Sequence, residues 1–252
     1  MIMKLPALLC VPRHLLYRNN YTTFSKMLRV SQEKIYKVLE PKAIDIARQS
    51  LLDGEVIALP TDTVYGFACD ANNEDAIKKL YDIKGRESYK PVAICVKNLE
   101  SFRRYGVSEH LNDTLLNRLL PGPVTIVIER SIHLSNRFLN PGTTKIGIRI
   151  PMFSFIKNLC SVLDDKPLAL TSANRSAERS SLNINEFEPL WPKLGGIFDA
   201  GQIGLSEDRR SGSTVIDLSQ PGVYKIVREG VALKVTLDLL KEFNIRLIDD
   251  NF

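Results

Sequence analysis

Residues 59–96 read LPTDTVYGFACDANNEDAIKKLYDIKGRESYKPVAICV. An apolar strand ends near Pro60 and a hydroxyl-rich turn follows it. Glu74–Lys84 then carries helical spacing through Ile77, Leu80 and Tyr81, and a cationic loop feeds an apolar strand at Pro91–Val96. This layout predicts that Thr61, Thr63, Tyr65, Lys84, Arg86 and Lys90 lie in loops beside a rigid sheet. A second piece, Ala169–Asn174 (ALTSAN), adds Ser172 and Asn174 at the end of another strand. Hydroxyls and cations gathered at strand ends suit a small hydroxylated molecule and a polyphosphate.

Strand and helix patterns alternate outward from this stretch. Helices are predicted at Pro41–Asp53, stopped by Gly54, at Leu111–Leu120, ended by Pro121-Gly122-Pro123, at Met152–Leu163 and at Thr236–Phe243. Strands are predicted at Val56–Leu59, Val124–Ile128, Thr144–Ile150, Pro167–Leu170, Gly196–Asp199, Thr214–Leu218 and Val223–Val227. Thr144–Ile150 alternates, whereas several others are almost continuously apolar, as when both faces of a sheet are covered. No repeat, low-complexity tract or linker divides residues 33–252, so one α/β domain with a helix-flanked sheet accounts for them. The polar loop Thr171–Ser181 and the glycine-bearing loop Gly201–Gly212 are the long interruptions; the second reads equally as a lid or as a solvated excursion.

Charge is unevenly placed. The 252 residues carry a formal net charge of +5, but residues 1–32 hold Lys4, Arg13, Arg18, Lys26 and Arg29 with no acid before Glu33. The remainder balances 29 basic against 29 acidic residues. That balance argues against a general nucleic-acid-binding polycation. The acid-free, hydroxyl-bearing leader has the composition of a mitochondrial transit peptide. Initiation at Met27 would omit most of it, so mitochondrial and cytoplasmic forms are both expected. No run of 18 apolar residues occurs, so no membrane-spanning helix is expected.

The cysteines, Cys10, Cys69, Cys95 and Cys160, form no C-x-x-C pair, and His14, His110 and His133 are scattered. No metal site is expected. The common nucleotide frames, G-x-x-x-x-G-K-[ST] and G-x-G-x-x-G, are absent, as is the G-x-S-x-G elbow. Alone, Lys84-Gly85-Arg86 reads as a solvated helix end and Ser172-Ala173-Asn174 as turn residues. In order, however, the chain carries PTDTVYG, K-G-R with K-P-V, P-G-P-V-T, G-I-R-I-P, T-S-A-N, S-T-V-I-D and V-R-E-G.

This ordered set, from Ala43 to Gly230, resembles the YrdC family of threonylcarbamoyl-AMP synthases in its short form. The resemblance implies a twisted mixed sheet flanked by helices around a concave, basic cavity. It implies condensation of L-threonine, bicarbonate or CO2, and ATP, with Mg2+ on the nucleotide and no tightly bound cofactor. The product would pass to a threonylcarbamoyl transferase, the KEOPS complex or its mitochondrial counterpart, which modifies tRNA beside the anticodon; direct tRNA binding would be weak or absent. The family's K-x-R and S-x-N patterns fall on Lys84, Arg86, Ser172 and Asn174. By position, Lys84 and Arg86 resemble catalytic cations. Arg86, Lys90, Ser172, Asn174, Ser213 and Arg228 resemble ATP contacts, and Thr63 and Arg149 resemble threonine contacts. The chain departs from many relatives in having Lys90 for an asparagine, Cys95 for a histidine and Lys145 for a threonine. A non-catalytic RNA-binding module is the alternative. A carbamoylation module of hydrogenase maturation would be longer and would carry zinc-binding cysteines.

Overall fold

A computed structural model describes residues 33–85 and 91–248. The leader with Met27, and the site candidates Arg86 and Lys90, lie outside the described residues. Twelve strands are described: β1 (Ile35–Lys37), β2 (Ile57–Pro60), β3 (Tyr65–Asp70), β4 (Ala93–Cys95), β5 (Gly106–Val107), β6 (Val124–Arg130), β7 (Lys145–Arg149), β8 (Leu168–Ser172), β9 (Gly196–Asp199), β10 (Thr214–Asp217), β11 (Val223–Arg228) and β12 (Arg246–Leu247). They form a mixed sheet in the order β1-β9-β2-β3-β8-β4-β7-β6-β10-β11-β12, with β5 paired to β6. The helices are α1 (Ala43–Leu52), α2 (Glu74–Lys84), α3 (Leu99–Tyr105), α4 (Asp113–Leu119), α5 (Ser154–Val162) and α6 (Leu233–Glu242).

Alternation along the strands sorts side chains into two cores. Ile57 and Leu59 of β2 and Ala68 of β3 pack with Ala43, Ala47 and Leu51 of α1 and Phe155, Ile156 and Leu159 of α5. Ala58 of β2 and Tyr65, Phe67 and Cys69 of β3 join the opposite core with Ala76, Ile77 and Leu80 of α2. Both faces of these strands are dry, which is why their sequences are apolar without alternating. Each large side chain so buried contributes about 1.5–3 kcal/mol of transfer free energy.

Helix α2 matches its sequence bounds because both ends are written locally. The Asn73 side chain accepts from the backbone N–H groups of Asp75 and Ala76, Glu74 and Asp75 lie in the first turn, and Lys84 lies in the last. Gly85 closes the helix at φ 55°, the left-handed conformation that glycine adopts without a Cβ penalty.

Strand β3 corrects the sequence reading. The polar turn ends at Val64, and Tyr65–Asp70 pairs antiparallel with β2, Pro60 opposite Tyr65, and with β8, Gly66 opposite Ser172. Tyr65 is therefore a buried strand residue and not a loop residue. The glycine at 66 has a packing reason: a Cβ there would lie 2.6 Å from Leu170 Cδ1 and 3.2 Å from the Thr171 carbonyl oxygen. The sequence reading also omitted β1, β5, β12, α3 and the 3-10 segment Ile184–Lys193, whose Pro189 and Pro192 obscure its periodicity.

Gly66→Ala is expected to destabilise the fold by about 1–3 kcal/mol through overpacking at β8. A urea titration with an unchanged midpoint would contradict this.

Candidate active site

A cavity of about 660 Å³ opens over the seven adjacent strands from β3 to β11. Its lining follows the two-residue period of the strands. Ala93 and Cys95 come from β4, Thr125 and Val127 from β6, Lys145, Gly147 and Arg149 from β7, and Val215 and Asp217 from β10. The intervening residues Ile94, Ile126, Ile146, Ile148 and Ile216 face the core. Small floor residues keep the space open: a Cβ on Gly147 would meet Thr125 Cγ2 at 3.0 Å and Ala93 Cβ at 3.4 Å.

Arg149 enters this cavity almost fully buried, at 5% exposure. Its Nε donates to the Gly122 carbonyl at 3.2 Å, its Nη1 to Thr63 Oγ1 at 3.2 Å and its Nη2 to Asp62 Oδ1 at 2.7 Å. In a flat sheet the three steps from β3 to β7 would span about 14 Å. The contact with the turn before β3 is made by the long arginine side chain reaching to Thr63 and Asp62. Thr61 shapes that turn: its hydroxyl accepts from the backbone N–H groups of Thr63 and Val64 and donates to the Val64 carbonyl. Cys95 pairs in register with Arg149, and burial pushes its thiol up to about 12 despite the nearby guanidinium.

Farther along the sheet, Arg228 donates from Nε and Nη2 to the Ser213 carbonyl, at 3.2 and 2.8 Å, and from Nη2 to Ser213 Oγ at 3.0 Å. Ser213 Oγ also shares a 2.9 Å hydrogen bond with Thr125 Oγ1. The V-R-E-G motif owes its glycine to this closeness, since a Cβ on Gly230 would lie 2.3 Å from the Ser213 carbonyl carbon. Lys145 donates to Asp217 Oδ2 at 2.8 Å on the same wall. Burial raises the Asp217 carboxyl, but Lys145 and Ser219 outweigh it and hold the group below the usual carboxylate range.

Lys84 is placed differently from the sequence expectation. It is the last residue of α2, 2% exposed, and not a solvated loop cation. Its ammonium donates to the Ser172 carbonyl at 2.6 Å and to Asn174 Oδ1 at 3.3 Å, while the Asn174 amide donates to the carbonyls of Arg175 and Glu178. The S-x-N segment and the lysine of K-x-R are therefore one clamp. Ser172 lines the cavity; Lys84 and Asn174 stand behind it. Thus Thr63, Arg149, Ser172, Ser213 and Arg228 share one cavity, as do Thr61, Cys95 and Lys145. Sequence reasoning missed Asp62 and Thr125. Thr125 was legible from its alternation with Val127, whereas no local pattern marked Asp62.

The loop after β9 is tied down at its root. The Tyr65 hydroxyl donates to the Gly201 carbonyl at 2.7 Å and accepts from the Ala200 N–H at 2.9 Å. Burial, with Asp199 nearby, pushes that hydroxyl's pKa well up. Farther on, Arg210 donates to the Ser180 carbonyl at 2.7 Å and to Glu186 Oε2 at 2.6 Å.

The sequence model of the Sua5/YciO/YrdC family, described as Telomere recombination, matches residues 49–230. The chain belongs to this family. Among its relatives, Threonylcarbamoyl-AMP synthase of Homo sapiens is 46% identical over 203 residues, covering 80% of this chain and 72% of the relative. The Bos taurus protein of the same name is 46% identical over 206 residues, covering 81% and 74%. The crystal structure of P. abyssi Sua5 complexed with L-threonine superposes with a TM-score of 0.71 at 28% identity, covering 85% of this chain and 61% of that one. E. coli YciO shares the fold, with a TM-score of 0.69 at 23% identity over 78% of this chain and 93% of that one. The helix-flanked mixed sheet expected for the family is the one observed here.

Lys84→Met should lower stability by about 1–3 kcal/mol, because the Ser172 carbonyl and Asn174 Oδ1 lose a buried donor. The fall should appear as a lower denaturation midpoint at constant slope. A variant as stable as the parent would mean that Lys84 does not clamp the Ser172–Asn174 segment.

Proposed function

We infer that the cavity joins L-threonine, bicarbonate or CO2, and ATP into threonylcarbamoyl-AMP and pyrophosphate, the precursor step of threonylcarbamoyladenosine formation in tRNA. The reading rests on one conjunction: Thr63, Arg149, Ser172, Ser213 and Arg228 line a single cavity, in a chain that over 203 residues is 46% identical to the human synthase. The volume of about 660 Å³ lies within the range of small-molecule sites.

The chemistry is a nucleotidyl transfer. The neutral threonine amine first adds CO2 and releases a proton, or condenses with bicarbonate and releases water, to give a carbamate. A carbamate oxygen then attacks the α-phosphorus of ATP in line, the P–O bond to the leaving pyrophosphate breaks, and a mixed anhydride remains. Such a transfer needs positioning and charge neutralisation more than a protein nucleophile. Arg149 and Thr63 are assigned to the amino acid, the guanidinium to its carboxylate and the hydroxyl to its hydroxyl. Ser172, Ser213 and Arg228 are assigned to ATP, with Asn174 supporting Ser172. Lys84 acts by holding the Ser172–Asn174 segment. Arg86 and Lys90, outside the described residues, are assigned to the phosphates by charge. ATP brings magnesium on its own phosphates; among the described residues no group of three His, Cys, Asp or Glu side chains is placed to hold a metal.

The product is assigned to a separate transferase, so tRNA is not required for turnover. Among the described residues no helix is long and apolar enough to cross a membrane. We assign the acid-free leader to mitochondrial import, with a cytosolic form starting at Met27. A reporter carrying residues 1–32 should enter mitochondria, and a wholly cytosolic reporter would refute that assignment.

Pyrophosphate release should require threonine, bicarbonate and ATP together, and should proceed without tRNA. Arg228→Ala should lower it by about 100-fold, the usual scale for losing one charge-stabilising donor. Release that persists when threonine is omitted or replaced by valine would sink the reading.

A further inference from the structure

We propose that Asp62 is a positioning residue whose negative charge fits Arg149 to a carboxylate and turns polyphosphate away from it. The proposal rests on the assignment of Arg149 to the amino acid, and extends it to how two kinds of anion are kept apart in one cavity.

Asp62 and Arg149 form an almost buried ion pair, with side-chain exposures of 10% and 6%. Asp62 does not line the main cavity, as Thr61 and Thr63 on either side of it do, but lines with them a smaller one of about 360 Å³. One of its oxygens, Oδ1, takes the hydrogen bond from Arg149 Nη2. The other, Oδ2, is buried with no hydrogen-bond partner among the described residues. With one hydrogen bond from Nη2 and none at Oδ2, the carboxylate offers Arg149 a single hydrogen-bond contact; what it adds beyond that contact is a negative charge against the guanidinium.

The consequence follows from counting donors and charges. A guanidinium has five N–H groups. Three are engaged by Gly122, Thr63 and Asp62, which leaves two for a ligand and fixes the plane in which they are offered. Two N–H groups match the two oxygens of a carboxylate. The pair is neutral as a unit, so an amino acid, itself a zwitterion, meets little net repulsion. Coulomb energy scales with the product of charges, so a lone guanidinium would attract a polyphosphate several times as strongly as a monoanion, and the Asp62 charge cancels that excess. Without Asp62, Arg149 would be a lone buried cation and an attractive phosphate site. The phosphates are thereby left to the Ser213–Arg228 wall. Arg228 lies on β11, three strands beyond Arg149 on β7, or about 14 Å along the sheet.

The test is calorimetric titration with inorganic pyrophosphate alone, which needs no turnover. Asp62→Asn is expected to bind pyrophosphate about tenfold more tightly than the parent and L-threonine several-fold more weakly. The gain should vanish in the double variant Asp62→Asn, Arg149→Gln. Merely loosening the turn would weaken both ligands. If Asp62→Asn does not fold, Asp62→Ser is titrated in its place. Equal pyrophosphate affinity in parent and neutral variant, or a gain that survives loss of Arg149, would overturn the proposal. Failure of the parent enzyme to release pyrophosphate on adding threonine would instead overturn the functional reading, so the two failures are distinguishable.

Discussion

A strand offers alternate side chains to opposite faces, and in this molecule that rule separates packing from chemistry. Across β4, β7, β6 and β10, one set of residues is mostly isoleucine and builds the core, while the other, of alanine, cysteine, threonine, valine, glycine, lysine, arginine and aspartate, builds the cavity. A one-residue slip of β7 would exchange Arg149 and Gly147 for Ile148 and Ile146, burying a guanidinium in an apolar layer. The packing that stabilises the sheet thus also fixes the register of the site.

Where that division is written along a short stretch, the sequence could be read. Thr144–Ile150 alternates visibly, and β7 lies within it; α2 carries its own caps and matches its predicted bounds. Strand β3 was hidden for the opposite reason. Both its faces are buried, so its period vanishes, and the glycine at 66 answers to Leu170 packed against it. Strands β1 and β12, of three and two residues, are too short to show a period.

Lys84 and Asp62 mark where local reading ends. Lysine after an amphipathic helix normally means a solvated end, yet this ammonium is buried against a segment 88 residues away. Asp62 has a partner 87 residues away, and its neighbours say nothing about it. The ordered motifs carried more than their separate spacings because residues of PTDTVYG, P-G-P-V-T, G-I-R-I-P, T-S-A-N, S-T-V-I-D and V-R-E-G line the same cavity. Cys69, Cys95 and Cys160 are buried, and burial raises each thiol.

The spread of the lining residues from Thr61 to Arg228 has a consequence for synthesis on the ribosome. Domains form from the N-terminus as the chain emerges, but here the earliest strands pair with late ones: β1 and β2 flank β9, and β6 is covered by β10. A nascent chain that has reached β8 already holds the Thr63–Arg149 contact residues, yet lacks the wall that carries Ser213 and Arg228. The cavity closes only when the segment from Ser213 onward docks, so a truncated product ending before β10 would keep part of the sheet but not a complete two-walled site.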